Sequence, residues 1–390
     1  MQVEFGIDVL LDQSPQWKHE VLGLLTNEAA TTASGLPGRE VLLRHGFSVE
    51  QLFSPEHGLD TRGPDGMPMP DGCDVLTGLP VKSLYLHSFA PEKHDLARLD
   101  RMIFDVPDVG ARFYTYLWSL TYLMEACAAA GKPLVILDRP NPISGNYDLV
   151  EGPMLEMANS SFIGRWPIPI RHSCTFGELA QYFKAHFKIS VELEVITCRG
   201  WKRAMFQPDW NTTFFPPSPA IQQFESAILY PGLCLLEATN VSEGRGTPYP
   251  FTCLGAPWMD AQAVARRLYE LSIDDVSLDP FEFTPQTGRY AGQICQGLQL
   301  AANDPAHFQP VFWGCMVLKI IHDMYPNSFS WEPYPTLANP TGHHHLNRLF
   351  GRTNSEQLFD LPMPTFLSEI TRLTRVPDWI EEINQYQLYS

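Results

Sequence analysis

Four polar motifs stand out in this chain because each follows a short apolar run. Each contains a carboxylate with an arginine or histidine near it, a combination that can transfer protons and bind polar ligands. In an open α/β sheet, the loops that leave the carboxyl ends of the strands converge on one crevice. We therefore expect the four motifs to form one polar site. They are residues 54–58 (SPEHG), 108–112 (DVGAR), 138–142 (DRPNP) and 240–247 (NVSEGRGT).

Glu56 is the residue in these motifs best placed to act as an acid catalyst. Pro55 fixes the turn and Gly58 ends it, so that Glu56 is held on a stiff backbone. A catalytic carboxyl needs such a fixed position and a partly desolvated setting to keep its proton near neutral pH. The alternative is a carboxylate that only caps a turn. We expect the neighbouring His57 to contact the ligand as a hydrogen-bond donor or acceptor.

Glu243 and Arg245 belong to a loop in which two glycines frame the arginine. Glycine permits close approach of the backbone to a ligand. Arg245 can then bind a carboxylate with two hydrogen bonds, and Glu243 can act as a second acid or base. The alternative is a tight turn that holds a local ion pair between the two residues.

Asp108 and Arg112 stand on either side of a glycine after another apolar run. They can pair with each other or bind hydroxyl and carboxylate groups of a substrate, and Tyr114 offers a ring for a sugar face. The alternative makes Asp108 a helix N-cap and the aromatic residues part of the core. The remaining expected ligand contacts are Asn27 after the first strand, Arg62, and Asn141 in the proline-rich loop.

The elements that must position these residues alternate between apolar strands and helices. Continuous apolar strands separated by helices predict a parallel sheet covered on both faces. The expected fold class is therefore α/β, with a Rossmann-like, doubly wound, mainly parallel sheet over residues 1–252 and a smaller α/β domain over 253–390. Strands are predicted over 21–25, 49–53, 81–86, 102–106, 134–137 and 191–197, and helices over 39–45, 116–130, 175–187, 260–271 and 310–325.

Composition and motifs argue against several classes of function. The formal charge of −17 would repel a nucleic acid, and no basic run reverses it. No GxGxxG or Walker A motif follows a strand, so we expect no nucleotide cofactor. The histidines lack the close spacing of metal ligands, and we expect no metal.

Two further observations concern the cellular compartment. The eight cysteines form no CxxC pair, and we expect them to be reduced thiols. No apolar stretch approaches the ~20 residues that span a bilayer, and the first residues do not read as a signal peptide. The expected location is the cytoplasm, with export as the alternative if residue 1 is a trimmed start.

Taken together, the motifs resemble those of the NamZ-type exo-β-N-acetylmuramidases. The resemblance runs in the same order through residues 6–10, 24–27, 52–58, 105–116, 137–142 and 240–247 and covers nearly the full chain. It implies a Rossmann-like catalytic domain, a smaller C-terminal domain and a cleft between them. It also implies hydrolysis of terminal, non-reducing N-acetylmuramic acid from peptidoglycan fragments, with Glu56 as the catalytic acid and no cofactor.

Glycoside hydrolysis usually requires a second carboxylate. Glu243 is the expected one, with Asp108 as an alternative, and the acetamido group of the substrate can also serve as the nucleophile. The lactyl carboxylate of muramic acid requires a local cation, for which Arg245, Arg112 and Arg62 are candidates. Two other functions stay open: a non-catalytic sugar-binding protein and a metal-assisted hydrolase.

Overall fold

The first half of the chain forms a seven-stranded sheet in the computed structural model, which describes residues 2–271 and 276–390. Its strands are β1 (Leu22–Thr26), β2 (Val49–Ser54), β3 (Gly72–Cys73), β4 (Pro80–Ser83), β5 (Arg101–Asp105), β6 (Leu134–Leu137) and β7 (Leu193–Ile196). Their spatial order is β3-β4-β2-β1-β5-β6-β7. Neighbouring strands are parallel except for the short β3–β4 pair. The predicted α/β fold with a mainly parallel sheet is confirmed.

The central strand β1 is buried at every position, as expected for a parallel strand whose two faces are both covered. It pairs with β2 on one side and β5 on the other, so that Leu24 lies opposite both Leu52 and Ile103. The strands β2, β4 and β3 therefore lie on one side of β1, and β5, β6 and β7 lie on the other. The strand order reverses between β1 and β5, which makes this position the topological switch point. Glu56 follows β2, on one side of that point.

Five helices accompany the first sheet: α1 (Gly6–Gln13), α2 (Gly38–Arg44), α3 (Lys93–Leu96), α4 (Tyr116–Ala130) and α5 (Phe176–His186). α4 has the predicted bounds. The predicted capping box of α5 is present, with the Thr175 hydroxyl accepting from the Glu178 backbone N–H and the Glu178 carboxylate accepting from the Thr175 N–H. α1 was not predicted. It packs closely on the sheet because Gly6 has no Cβ to collide with the Asp138 backbone.

The second half of the chain contains an antiparallel three-stranded sheet in the order β8-β10-β9, whose strands are β8 (Cys253–Ala256), β9 (Val276–Phe283) and β10 (Cys295–Ala302). Its helices are α6 (Phe224–Leu233), α7 (Ala261–Glu270), α8 (Pro310–Met324), α9 (His345–Phe350), α10 (Glu356–Phe359), α11 (Met363–Thr374) and α12 (Pro377–Ile383). α7 and α8 confirm two predicted helices. α6, which contains Pro231, was not predicted, and Gly232 lets it pack directly on the start of α8.

One apolar core connects the two halves of the chain. It contains Phe104 and Leu117 from the first domain together with Leu254 and Val317 from the second. A continuous, close-packed core holds the two halves in one arrangement, so the polar residues at their junction have fixed positions. Within residues 2–271 and 276–390, no helix combines the length and apolar character needed to cross a membrane.

Candidate active site

A pocket lies between the carboxyl ends of β2 and β4 and the second half of the chain. It contains about 590 Å³ of empty space, including open solvent. The first half of the chain contributes Glu56, His57, Asp65, Tyr85, Tyr114 and Thr115 to its wall, and the second half contributes Glu237, Arg245, Tyr334 and His345. The predicted motifs 54–58 and 240–247 therefore meet, although they are distant in sequence.

Glu56 is buried in this pocket, with only 4% of its surface exposed. Its Oε1 accepts a hydrogen bond from the Gly66 backbone N–H at 2.8 Å, and its Oε2 accepts one from the Thr115 hydroxyl at 2.6 Å. Burial raises the pKa of Glu56 above its ordinary value, and the charge of Asp65 adds to this effect. The contacts with His57, Thr115 and Gly66 lower the pKa, but burial outweighs them.

Asp65, which the sequence analysis missed, is the second carboxyl in the pocket. One carboxyl oxygen of Asp65 and one of Glu56 lie within 4.8 Å of each other. The Tyr334 hydroxyl donates to Asp65 at 2.5 Å, and Arg245 lies 3.6 Å from its other oxygen. Burial raises the pKa of Asp65, but Arg245, His57 and the Tyr334 hydroxyl together lower it below its ordinary value.

Arg245 connects three carboxylates. Its guanidinium lies 2.7 Å from Glu237, 2.9 Å from Glu243 and 3.6 Å from Asp65. Glu237 in turn contacts the buried His345, whose Nε2 is 3.1 Å from its carboxylate. Glu243, predicted as the second catalytic carboxylate, accepts from Arg245 and does not line the pocket. The structure therefore places Asp65, and not Glu243, beside Glu56.

His57 closes a small loop directly after Glu56. Its Nδ1 donates to the Gly63 carbonyl at 2.8 Å, and the Gly63 N–H donates back to the His57 carbonyl at 3.0 Å. A carbonyl can only accept, so Nδ1 carries a hydrogen. Glu56, His57 and Asp65 each offer one ligand atom, and these atoms lie within 4.8 Å of one another. This trio is the one place in the described chain with such a spacing for a metal ion.

Tyr114 and Asn27 were both predicted to contact substrate, and only Tyr114 lines the pocket. The Tyr114 ring packs edge-on against Tyr116, with 4.8 Å between ring centroids. Asn27 is fully buried next to the pocket wall, where its Oδ1 accepts from the Ala29 N–H at 3.1 Å. Asn27 thus shapes the turn after β1.

Arg112 and Asn141 lie in the protein interior, away from the pocket lining. The Arg112 guanidinium donates to the carbonyls of Pro153, Ile168 and Leu349 at 2.7–2.9 Å. Asn141 donates to the Cys174 carbonyl and accepts from a backbone N–H of its own loop. Both side chains satisfy backbone groups, and this corrects the expectation that they bind substrate.

Asp108 and Arg62 line other depressions. Asp108 borders a separate pocket near the switch point, and its carboxylate lies 3.4 Å from His172. Arg62 is exposed and lines an open groove next to the Glu56 pocket. The expectation that all four motifs form one site is therefore wrong. The start of the loop after β5, at Asp108, and the loop after β6 border a different depression, whereas Tyr114 and Thr115 at the end of the loop after β5 reach the Glu56 pocket.

Comparison with known proteins gives the family. Models of the N-terminal and C-terminal domains of the exo-β-N-acetylmuramidase NamZ match residues 22–225 and 228–389. The chain belongs to the NamZ family. The resemblance inferred from the motifs is thus confirmed, and the chain is a member of a glycosidase family. The NamZ models divide the chain between 225 and 228, whereas the boundary after residue 252 stays a prediction.

Individual NamZ relatives support the same assignment. The peptidoglycan β-N-acetylmuramidase NamZ of Bacillus subtilis (strain 168) is 40% identical over 332 residues, which are 85% of this chain and 80% of that protein. Two crystal structures of DUF1343 family proteins from Bacteroides fragilis NCTC 9343 match 100% of this chain and 99% of their own. Their TM-scores are 0.88 and 0.73, at 27% and 26% identity.

Proposed function

We propose that this protein hydrolyses the glycosidic bond of a terminal, non-reducing N-acetylmuramic acid in peptidoglycan fragments. The observation that carries the proposal is the pair formed by Glu56 and Asp65 in one pocket, with one oxygen of each carboxyl within 4.8 Å of the other. Burial favours the protonated form of one carboxyl, and neighbouring donors favour the ionised form of the other. The NamZ relative from Bacillus subtilis, a peptidoglycan β-N-acetylmuramidase, indicates the substrate class.

Glu56 serves as the general acid in this proposal. Its raised pKa keeps a proton on the carboxyl at a pH where an exposed glutamate has lost it. As the bond between the anomeric carbon and the bridging oxygen breaks, Glu56 gives this proton to the oxygen, and the leaving sugar departs as an alcohol. Thr115 and Gly66 hold the carboxyl in position.

Asp65 serves as the ionised partner, facing the positive charge that develops on the sugar. Inverting glycosidases separate their two carboxyl groups by about 6.5–9.5 Å to leave room for a water molecule, whereas retaining enzymes keep about 5–5.5 Å. One oxygen of Glu56 and one of Asp65 lie within 4.8 Å of each other, and we expect the pair to act with retention of configuration. Attack by Asp65 itself and attack by an acetamido group that Asp65 orients both lead to that result.

Arg245 is the only one of the three predicted arginines that lines the Glu56 pocket. Its charge faces three carboxylates, and a lactyl carboxylate placed there would add a fourth. We therefore assign Arg245 to keeping Asp65 ionised, in place of the expected clamp on the lactyl group. The aromatic side chains Tyr85 and Tyr114 offer the pocket's apolar surface to the sugar.

A metal-assisted hydrolase is the second candidate, since Glu56, His57 and Asp65 have ligand atoms close together. Two observations favour the metal-free reaction. Both oxygens of Glu56 already accept hydrogen bonds, and a carboxyl whose burial favours the proton is a weak ligand because metals bind the deprotonated form.

The deciding experiment compares release of a nitrophenol from the β-glycosides of N-acetylmuramic acid and of N-acetylglucosamine, with and without EDTA. We expect cleavage of the muramic acid compound that EDTA does not change. Loss of activity in EDTA with recovery on adding a divalent cation would establish the metal-assisted alternative. Binding of both sugars without cleavage of either would contradict the proposed function.

We also propose a cytoplasmic location and a purely carbohydrate substrate, without nucleic acid. All eight cysteines are unpaired thiols, and seven of them are buried. Unpaired thiols are typical of a reducing compartment. Fractionation of cells that express the native gene would test the location.

A further inference from the structure

An open groove runs beside the Glu56 pocket. It contains about 1590 Å³ of empty space, including open solvent, compared with about 590 Å³ in the pocket. Ser218 belongs to the walls of both, so the groove and the pocket are neighbours across a single residue. A ligand that extends out of the pocket past Ser218 enters this groove.

The loop that carries Glu56 also forms part of the groove. The paired hydrogen bonds between His57 and Gly63 close residues 57–63 into a compact loop. Glu56 and His57 line the pocket, whereas Asp60 and Arg62, at the other end of the loop, line the groove. The Asp60 carboxylate accepts from the Arg62 backbone N–H at 3.1 Å, which fixes the direction of the loop tip.

The groove walls combine apolar surface with an accessible cation. Phe215 is half-buried, and the tip of the β3–β4 hairpin exposes Leu76 by 42% and Val75 completely. Together with Phe215, these exposed side chains form an apolar wall of the groove that a ligand can cover. Arg39 in the groove wall is held by Asp74 at 2.9 Å, whereas Arg62 is exposed to solvent.

We propose that this groove binds the leaving saccharide of the substrate, with Arg62 and Phe215 as its principal contacts. The inference rests on the proposed function. The proton of Glu56 goes to the oxygen that joins the two sugars, so the leaving sugar lies next to Glu56, beyond the muramic acid. The groove adjoins the pocket on the same loop and offers the larger space. Apolar side chains pack on the faces of the leaving sugar, and Arg62 donates to its hydroxyl and acetamido oxygens.

The test compares two substrates that share the muramic acid and differ in the leaving group. One is the disaccharide in which N-acetylmuramic acid is β-1,4-linked to N-acetylglucosamine, and the other is the β-azide of N-acetylmuramic acid. Arg62→Ala and Phe215→Ala should each lower kcat/KM for the disaccharide about tenfold relative to the azide. Arg375→Ala and Leu367→Ala change exposed residues elsewhere and should leave that ratio unchanged.

Three results would overturn the proposal. Equal losses on both substrates would place Arg62 at the lactyl group, which the two share. An unchanged ratio in both groove variants would show that the leaving sugar lies elsewhere. A loss that appears only when the muramic acid carries a stem peptide would assign the groove to the peptide. Failure of the wild-type enzyme to cleave either substrate would instead contradict the proposed function, so the two failures are distinguishable.

Discussion

Glu56 and Asp65 lie within 4.8 Å of each other, and their surroundings push their pKa values in opposite directions. Burial raises the pKa of Glu56, whereas Arg245, His57 and Tyr334 overcome the burial of Asp65 and lower its pKa. Two carboxyls this close cannot both ionise without repulsion, so the ionised Asp65 also helps to keep the proton on Glu56. These surroundings favour the two roles proposed above, a protonated Glu56 as the acid and Asp65 as its ionised partner.

Replacing Glu56 by Gln tests the acid role through the leaving group. Glutamine keeps the size of the side chain and cannot give up an acid proton, so we expect the rate on the natural disaccharide to fall about 10²–10⁴-fold. An azide leaving group needs no proton, and its release should fall far less. The measurement is kcat/KM for both substrates, with far-UV circular dichroism to confirm the fold.

Thr115→Val provides a milder companion to this variant. It removes the hydroxyl that donates to Glu56 at 2.6 Å and leaves the carboxyl in place. We expect Thr115→Val to lower kcat/KM less than Glu56→Gln does, and again to lower it more for the disaccharide than for the azide. Equal losses on both leaving groups in Glu56→Gln would mean that Glu56 does not act as the acid.

The pH dependence of kcat/KM should show two limbs. As the pH rises through the raised pKa of Glu56, the acid loses its proton and the rate falls, at a pH above the ordinary value of 4.5. As the pH falls through the lowered pKa of Asp65, its charge is lost and the rate falls again, below the ordinary value of 3.8. Arg245→Gln removes the charge that keeps Asp65 ionised, so the acidic limb should move to higher pH. An acidic limb that does not move would contradict the role assigned to Arg245.

Asp65→Asn and Glu243→Gln together identify the second carboxylate. Asp65 lines the pocket beside Glu56, whereas Glu243 lies behind Arg245. We expect Asp65→Asn to lower kcat about 10²–10³-fold and Glu243→Gln to cost much less. Azide added to Asp65→Asn would trap the sugar if Asp65 is the attacking group. A larger loss of kcat in Glu243→Gln than in Asp65→Asn would instead identify Glu243 as the second catalytic carboxylate.

The sequence predicted the sheet, most of its helices and the position of Glu56 because each of these depends on local pattern. α4 and β6 have the predicted bounds, since an apolar run between turn residues defines both ends. Asp65 had a weaker local signal, the glycines at 63 and 66 that make its turn. Neither of these glycines indicated that the Gly66 N–H would donate to Glu56.

The residues from the second half of the chain that complete the pocket could not be predicted from local pattern. The contact between Asp65 and Tyr334 joins residues 269 positions apart, and that between Glu237 and His345 joins residues 108 apart. Pattern within one segment carries no information about such pairings. Arg112 illustrates the opposite error, because its motif resembles a ligand site and the guanidinium instead binds three backbone carbonyls.

Arg112→Ala should therefore destabilise the protein and not act on substrate selectivity. The guanidinium is fully buried, and burial lowers its pKa to about 9. It donates to the Pro153 and Ile168 carbonyls and to the Leu349 carbonyl in α9, so it connects the two halves of the chain. Removing it takes the guanidinium donor away from three buried carbonyls and leaves a cavity, which should cost at least about 3 kcal/mol of unfolding free energy. Urea-induced unfolding measures this cost, and Arg62→Ala, at an exposed site, should change the free energy by less than about 0.5 kcal/mol. A stable Arg112→Ala protein that no longer distinguishes muramic acid from N-acetylglucosamine would show that Arg112 binds substrate after all.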